Sequence, residues 1–222
     1  PTYPADLVKS LYSNAYAPAA TLGDTNENWW QAPTNSEVNL GEGNMALLYE
    51  NIPATSTFGW AFSTFDAIGY QTLHISIYPL NSGIIEIYPV IQPEGEFHRT
   101  SQTLVANQWN EVVIDFSDKT FTTFVQLGFT NYSALGAFFI DNVYFTCPIA
   151  TTTVDGWGTF ASAGNVQVPT GVTAYKAAYS NTGGNEVLVL TELEDGIIPA
   201  GEGVLINGVA STTYGFTSTA TT

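Results

Sequence analysis

Cysteine is almost missing from this chain. Cys147 is the only one in 222 residues, which excludes an intramolecular disulfide and any Cys-rich metal site. Two histidines beside that one cysteine leave a zinc centre short of ligands. Basic residues number four, Lys9, Arg99, Lys119 and Lys176, against 20 acidic ones, for a formal net charge of -16. Four scattered cations make no phosphate-binding stripe, which argues against nucleic acid and anionic membrane surfaces and leaves neutral or cationic ligands. No apolar run is long enough to span a bilayer, and no signal peptide stands at Pro1. Opening at Pro1 and ending in TSTATT, the chain reads as an excised piece of something longer. Helical periodicity is nearly absent; only 64–70 holds a possible short turn.

What the chain does have is strand pattern. Apolar residues make up 45%, enough for a real core. In FGWAF at 58–62 the large aromatics alternate with small residues, and LHISIY at 73–78 alternates as cleanly. Further strands are expected at 7–12, 38–40, 45–50, 57–63, 84–91, 97–104, 109–116, 121–129 and 138–145. Asn81-Ser82-Gly83 reads as a hairpin turn, and 13–36 as one long loop of the kind that is functional or metal-stiffened. Many short strands separated by Gly, Pro and Asn predict an all-β fold, an antiparallel sandwich. The domain reading is a β-sandwich over 1–147, a linker over 148–153 and a smaller β domain over 154–222, with strands near 158–161, 174–179, 186–193 and 203–207.

The strand at 137–145, AFFIDNVYF, closes the first domain. Its carboxylate, Asp141, sits among Phe138, Ile140, Val143 and Phe145. Burying a lone charge costs several kcal/mol, roughly, per ion, so Asp141 needs a hydrogen-bonding partner or a metal. Oxygen ligands from Asp141, Asn14 and Asp24 suit Ca²⁺; the alternative is that backbone amides or a turn hold Asp141.

Ser13-Asn14-Ala15-Tyr16, Asn28-Trp29-Trp30-Gln31, the 66–70 run DAIGY, Leu73-His74-Ile75 and the 139–145 run FIDNVYF occur in an order that resembles the galactose-binding-like β-sandwich modules of glycan-handling surface and secreted proteins of Bacteroidetes. The resemblance covers about 7–145. It implies a jelly-roll sandwich, no catalysis, polysaccharide binding, an extracellular or cell-surface setting on a larger protein, and a structural Ca²⁺ between the first and closing strands. Asn14 stands where related modules often carry Asp, and Trp30 where a small residue is expected. The same comparison implies that Trp29 belongs to the core. The segment 154–222 resembles a β domain appended to such proteins, and no activity attaches to it.

Candidate ligand residues follow. Trp29 and Trp30 either form a sugar platform or plug the sandwich end; Trp30 is the favoured platform residue. A pyranose presents an apolar C–H face that packs on an indole while amides and carboxylates bond its hydroxyls. Trp60 is a further candidate, with a core role as its alternative; Trp109 reads as structural. Tyr78, Tyr88, Glu96 and His98 would line a cleft, or form an ordinary solvated face; His98-Arg99 is the one adjacent pair able to carry positive charge. Catalysis is not expected. Glycoside hydrolysis needs two placed carboxylates, and Glu50, Glu86, Glu96 and Asp115 form no recognisable pair; no G-x-S-x-G elbow occurs. The competing function is a structural or adhesion spacer in a secreted multidomain protein.

Overall fold

A computed structural model describes residues 3–66, 69–70, 72–92, 99–116, 123–131, 135–182 and 185–219. The chain divides into two compact units. One comprises Pro1–Ala67, Thr72–Asp115 and Phe121–Thr146; the other comprises Ile68–Gln71, Phe116–Thr120 and Cys147–Thr222.

The first unit follows a short 3₁₀ turn, Ala5–Leu7, with β1 (Val8–Tyr12), β2 (Glu27–Trp30), β3 (Thr34–Asn39), β4 (Met45–Glu50), β5 (Ser56–Asp66) and β6 (Thr72–Pro79). It continues with β7 (Gly83–Gln92), β8 (Thr100–Leu104), β9 (Asn110–Asp115), β10 (Thr123–Asn131) and β11 (Phe138–Thr146). One sheet runs β3-β4-β11-β6-β9, with β1 also on β11; the second runs β2-β5-β10-β7-β8. From β4 onward nearly every connection passes from one sheet to the other, a jelly-roll sandwich.

Alternation decides what lies between the sheets. Phe58 and Trp60 of β5 and Leu127 and Phe129 of β10 turn inward, as do Leu73, Ile75 and Ile77 of β6 and Phe138, Ile140 and Phe145 of β11. Tyr49 of the first sheet meets Phe58 of the second at 4.8 Å between ring centroids, and Phe124 meets Phe145 at 4.3 Å. Trp60 is fully buried, and its indole N–H donates to the Tyr49 hydroxyl at 2.7 Å. Trp60 is therefore a core residue and leaves the list of ligand candidates: no face of its ring reaches solvent.

Three local expectations are corrected. The long loop at 13–36 contains β2 and the start of β3; paired β5 and β4 impose strand on a segment whose own propensity is weak. Asn81-Ser82-Gly83 does not close a hairpin, because β6 pairs with β11 and β9 while β7 pairs with β10 and β8. The helical turn expected over 64–70 is strand as far as Asp66; 67, 68 and 71 lie outside the described residues.

The second unit contains β12 (Ile149–Thr151), β13 (Trp157–Phe160), β14 (Val166–Gln167), β15 (Thr173–Thr182), β16 (Asn185–Glu192), β17 (Ile197–Ile198), β18 (Val204–Asn207), β19 (Thr213–Gly215) and β20 (Thr217–Ser218). Its sheets are β13-β18-β15-β16, β17-β14-β20 and the pair β12-β19. The stretch expected to be a linker thus carries a paired strand, β12. Phe160 and Phe216 stack at 3.8 Å inside a small core with Val166, Ile198, Val204 and Ile206. Among the described residues no helix is long and apolar enough to cross a membrane, which leaves β-barrels aside.

Candidate functional site

The outer face of the β2-β5-β10-β7-β8 sheet carries two glycines side by side. Because Phe58 and Trp60 point inward, Gly59 between them faces out; Gly128, between Leu127 and Phe129, does the same. The register places Glu27, Gly59, Gly128 and Tyr88 in one row across four strands. Trp29, two residues after Glu27, shares its face and lies flat over the row. A Cβ at Gly59 would run into the Trp29 indole, and one at Gly128 into both Trp29 and the Tyr88 ring. Glycine inside a strand weakens it, and here the missing side chains are what let two aromatic rings lie down on the sheet.

Polar groups frame the rings. Trp29 and Tyr88 stand 6.0 Å apart at 39°. The Glu27 Oε2 atom accepts from the Trp29 indole N–H at 3.3 Å and from the Gln126 amide at 2.8 Å, which fixes the indole's rotation. Arg99 lies with its guanidinium carbon 4.5 Å from the Tyr88 ring centre and donates to Glu86 Oε2 at 3.0 Å. The Tyr88 hydroxyl is paired with Thr130 Oγ1 at 2.9 Å, and Thr130 with Thr57 at 3.1 Å. Tyr88 is almost completely buried, so Trp29 is the accessible ring of the pair. A half-buried indole ringed by a carboxylate, an amide and a guanidinium suits a sugar: stacking for the ring's C–H face, donors and acceptors for its hydroxyls.

The sequence candidates divide accordingly. Trp29, expected in the core, is on this outer face. A register shift between Asn28 and Trp30 sets the end of β2, leaving Trp30 60% exposed beside Thr57, off the glycine row. Tyr88 lies in the glycine row. Tyr78 does not: it faces outward from the other sheet, in edge contact with Trp109 at 5.6 Å and Phe139 at 6.1 Å, because β6 and β7 lie in different sheets. Glu96 and His98 lie outside the described residues. Sequence reasoning missed Glu27 and Gln126. It names Arg99 only as a scattered cation and as His98's neighbour, and Gly59 only as a small residue between aromatics, although a glycine inside a strand is itself a signal.

The expected metal ligands are only partly brought together. Asp141 is buried; its Oδ1 accepts from the Asn142 backbone N–H at 2.6 Å, and Asn44 supplies a side-chain hydrogen bond. Burial pushes its carboxyl above the usual range, and those two hydrogen bonds pull partly back. The Asn14 amide donates to Asn44 Oδ1 at 2.9 Å and to the Met45 carbonyl at 3.0 Å; Ser13 Oγ donates to Asn142 Oδ1 at 2.9 Å. Asp24 stands apart. Its carbonyl is tied to Ala61 of the other sheet at 2.7 Å, and its carboxylate caps the Asn26 N–H at 2.7 Å. The Asp141 cluster offers only oxygen ligands around one carboxylate. Turning the Asn14 amide over would add its oxygen to those of Asn44 and Met45. That donor chemistry fits Ca²⁺ and no softer metal. Among the described residues no three His, Cys, Asp or Glu side chains converge.

No family model and no curated protein matches this chain. Solved structures to which it is similar include carbohydrate-binding modules. A variant of a family 29 module complexed with cellulohexaose is 12% identical over 63% of this chain and 89% of that one, with a TM-score of 0.43. A module described for specific mannan recognition is 18% identical over 58% of this chain and 98% of that one, at 0.39. A carbohydrate-binding and catalytic module pair of Clostridium thermocellum endo-1,4-β-D-xylanase 10B, complexed with xylohexaose, is 12% identical over 58% of this chain and 29% of that one, at 0.36. Likenesses this distant leave function to the residues of the chain itself.

Proposed function

We propose that this protein is a non-catalytic carbohydrate-binding module that holds a polysaccharide near a larger glycan-degrading or surface protein outside the cell. The observation that carries the reading is Trp29, laid over Gly59 and Gly128 beside Tyr88 and framed by Glu27, Gln126 and Arg99. Trp29 packs on one sugar ring. Glu27, Gln126 and Arg99 bond its hydroxyls and those of the neighbouring sugar. Affinity electrophoresis against a panel of soluble polysaccharides tests this. Retardation by at least one glycan is expected; migration unchanged by every neutral polysaccharide in the panel would favour the spacer reading.

Arg99→Ala should weaken retention by a few-fold at most. The guanidinium is about half exposed and already paired with Glu86, and exposed ionic contacts contribute about 1 kcal/mol or less. A loss as large as that of a Trp29 variant would make Arg99, not the indole, the centre of the site.

Ca²⁺ in this reading is structural, held by Asp141 with Asn44, Asn14 and the Met45 carbonyl, and it joins the segment after β1 to β11. At a free concentration about 100 times its dissociation constant it would stabilise the fold by roughly 2.7 kcal/mol. Thermal melts should therefore fall on adding EDTA, and Asp141→Ala should remove the difference. Superimposable wild-type melts in Ca²⁺ and EDTA, with no calcium found by elemental analysis, would assign Asp141 to its hydrogen bonds alone.

A further inference from the structure

The outer face of the opposite sheet holds a second concavity. It is a cavity of about 300 Å³ among Tyr3, His74, Ser76, Glu111, Val113, Asn142 and Tyr144. The register builds it: His74 of β6 stands beside Tyr144 of β11, and Ser76 beside Glu111 of β9, all turned away from the core that takes Leu73, Ile75 and Ile77. His74 and Tyr144 stack at 4.8 Å and 10°. Tyr3 walls them off, its ring 5.1 Å from His74 and 6.2 Å from Tyr144. Tyr16 holds Tyr3 there by donating to its carbonyl at 3.0 Å.

Charge selects the ligand. Glu111 is half exposed at the mouth. Its Oε2 accepts from Ser76 at 2.8 Å, and its Oε1 lies 3.9 Å from His74 Nδ1, too long for a hydrogen bond. His74 is neutral near pH 7, because burial lowers its pKa to about 4. Among the described residues no Lys or Arg lines the cavity. One negative charge therefore faces a space walled by rings whose faces are also electron-rich. An anion is repelled, and an uncharged apolar group would strip water from the carboxylate without replacing it. A cation answers both, through Glu111 and through the rings. Two residues further along the same strands, about 7 Å away, Tyr78, Phe139 and the exposed Trp109 offer an apolar surface for the body of such a ligand.

We propose that this cavity binds a small organic ammonium, with its N–H donating to Glu111 and its carbons against Tyr3 and Tyr144. The inference does not depend on the Trp29 site. Its test is an NMR titration of the full chain with glucosamine, methylammonium, glucose and N-acetylglucosamine, at a pH that keeps the amines protonated. Glucosamine should shift the backbone amides of Val113, Asn142 and Tyr144, and glucose and N-acetylglucosamine should not. A parallel response to methylammonium identifies a free ammonium as sufficient; a response to glucosamine alone identifies an amino sugar. Glu111→Gln should weaken the response about tenfold or more, as loss of a charge-assisted hydrogen bond does, with an unchanged melt, while Trp29→Ala should leave it intact. Shifts at the same amides with glucose, no shift with either amine, or wild-type affinity in Glu111→Gln would each overturn the proposal.

Discussion

Trp29→Ala is expected to reduce affinity for the polysaccharide that the wild type binds by between ten- and a hundredfold. Stacking on an indole contributes on the order of 1 kcal/mol beyond area. Covering roughly 60 Å² of apolar ring adds about 1.5 kcal/mol, and each 1.4 kcal/mol is about a factor of ten. The fold should survive, because Trp29 lies on the outside of its sheet while Trp60, Phe58 and Phe129 fill the inside. Trp30→Ala is the matched control: same residue type, next position, 60% exposed, but off the Gly59–Gly128 row. It should change affinity much less. Quantitative affinity electrophoresis of both variants, with a thermal melt of each, decides the matter. Retention of Trp29→Ala equal to wild type would remove the indole from the site, and a larger loss in Trp30→Ala would move the platform one residue along.

Acid should destabilise the first unit through His74. Burial lowers its folded pKa to about 4, whereas an unfolded chain's histidine titrates near 6.5, about the model-peptide value. Above about pH 6.5 the ring is neutral in both states and the full stability is present. As pH falls through the window from about 6.5 to about 4, the unfolded chain takes the proton first and stability is lost, by up to about 3 kcal/mol for a depression of that size. Glu111, 3.9 Å away and half exposed, opposes this only weakly. His74→Gln should be less stable than wild type near neutrality, since it gives up the Tyr144 stack and the bond to Thr146 Oγ1 at 3.0 Å. It should then catch up as pH falls, because it has no ring to protonate. Urea unfolding followed by tryptophan fluorescence reports mainly on this unit, which holds Trp29, Trp30, Trp60 and Trp109. Carboxylates that titrate in the same window cancel between the two proteins. A constant stability gap from neutral to about pH 4 would show that His74 carries no such penalty.

The sequence by itself determined the two-sheet β architecture, because alternation is a local property: Phe58 and Trp60, or Leu73, Ile75 and Ile77, reach one side of a strand whatever the strand pairs with. It also determined that Asp141 required a partner, since a carboxylate among Phe138, Ile140 and Val143 is costly in any fold. It did not say which partner, because Asn44, in the turn just before β4, arrives only when β4 pairs with β11. The site was the least legible part. Glu27, Gln126 and Arg99 are far apart in the chain and converge only through the order β2-β5-β10-β7-β8. Trp29 reaches the outer face by plain alternation from Glu27, while the shift of register in β2 sets Trp30 opposite Thr57, one row away from Gly59; neither neighbour can be read before β2 is paired with β5. Likewise Tyr78 and Tyr88, ten residues apart and alike in pattern, ended on different sheets because the turn at 80–82 crosses the sandwich instead of folding β6 back on β7. Side-chain direction was written in the sequence; the neighbours that turn direction into a binding surface were supplied by long-range strand pairing, which leaves no local periodicity to read.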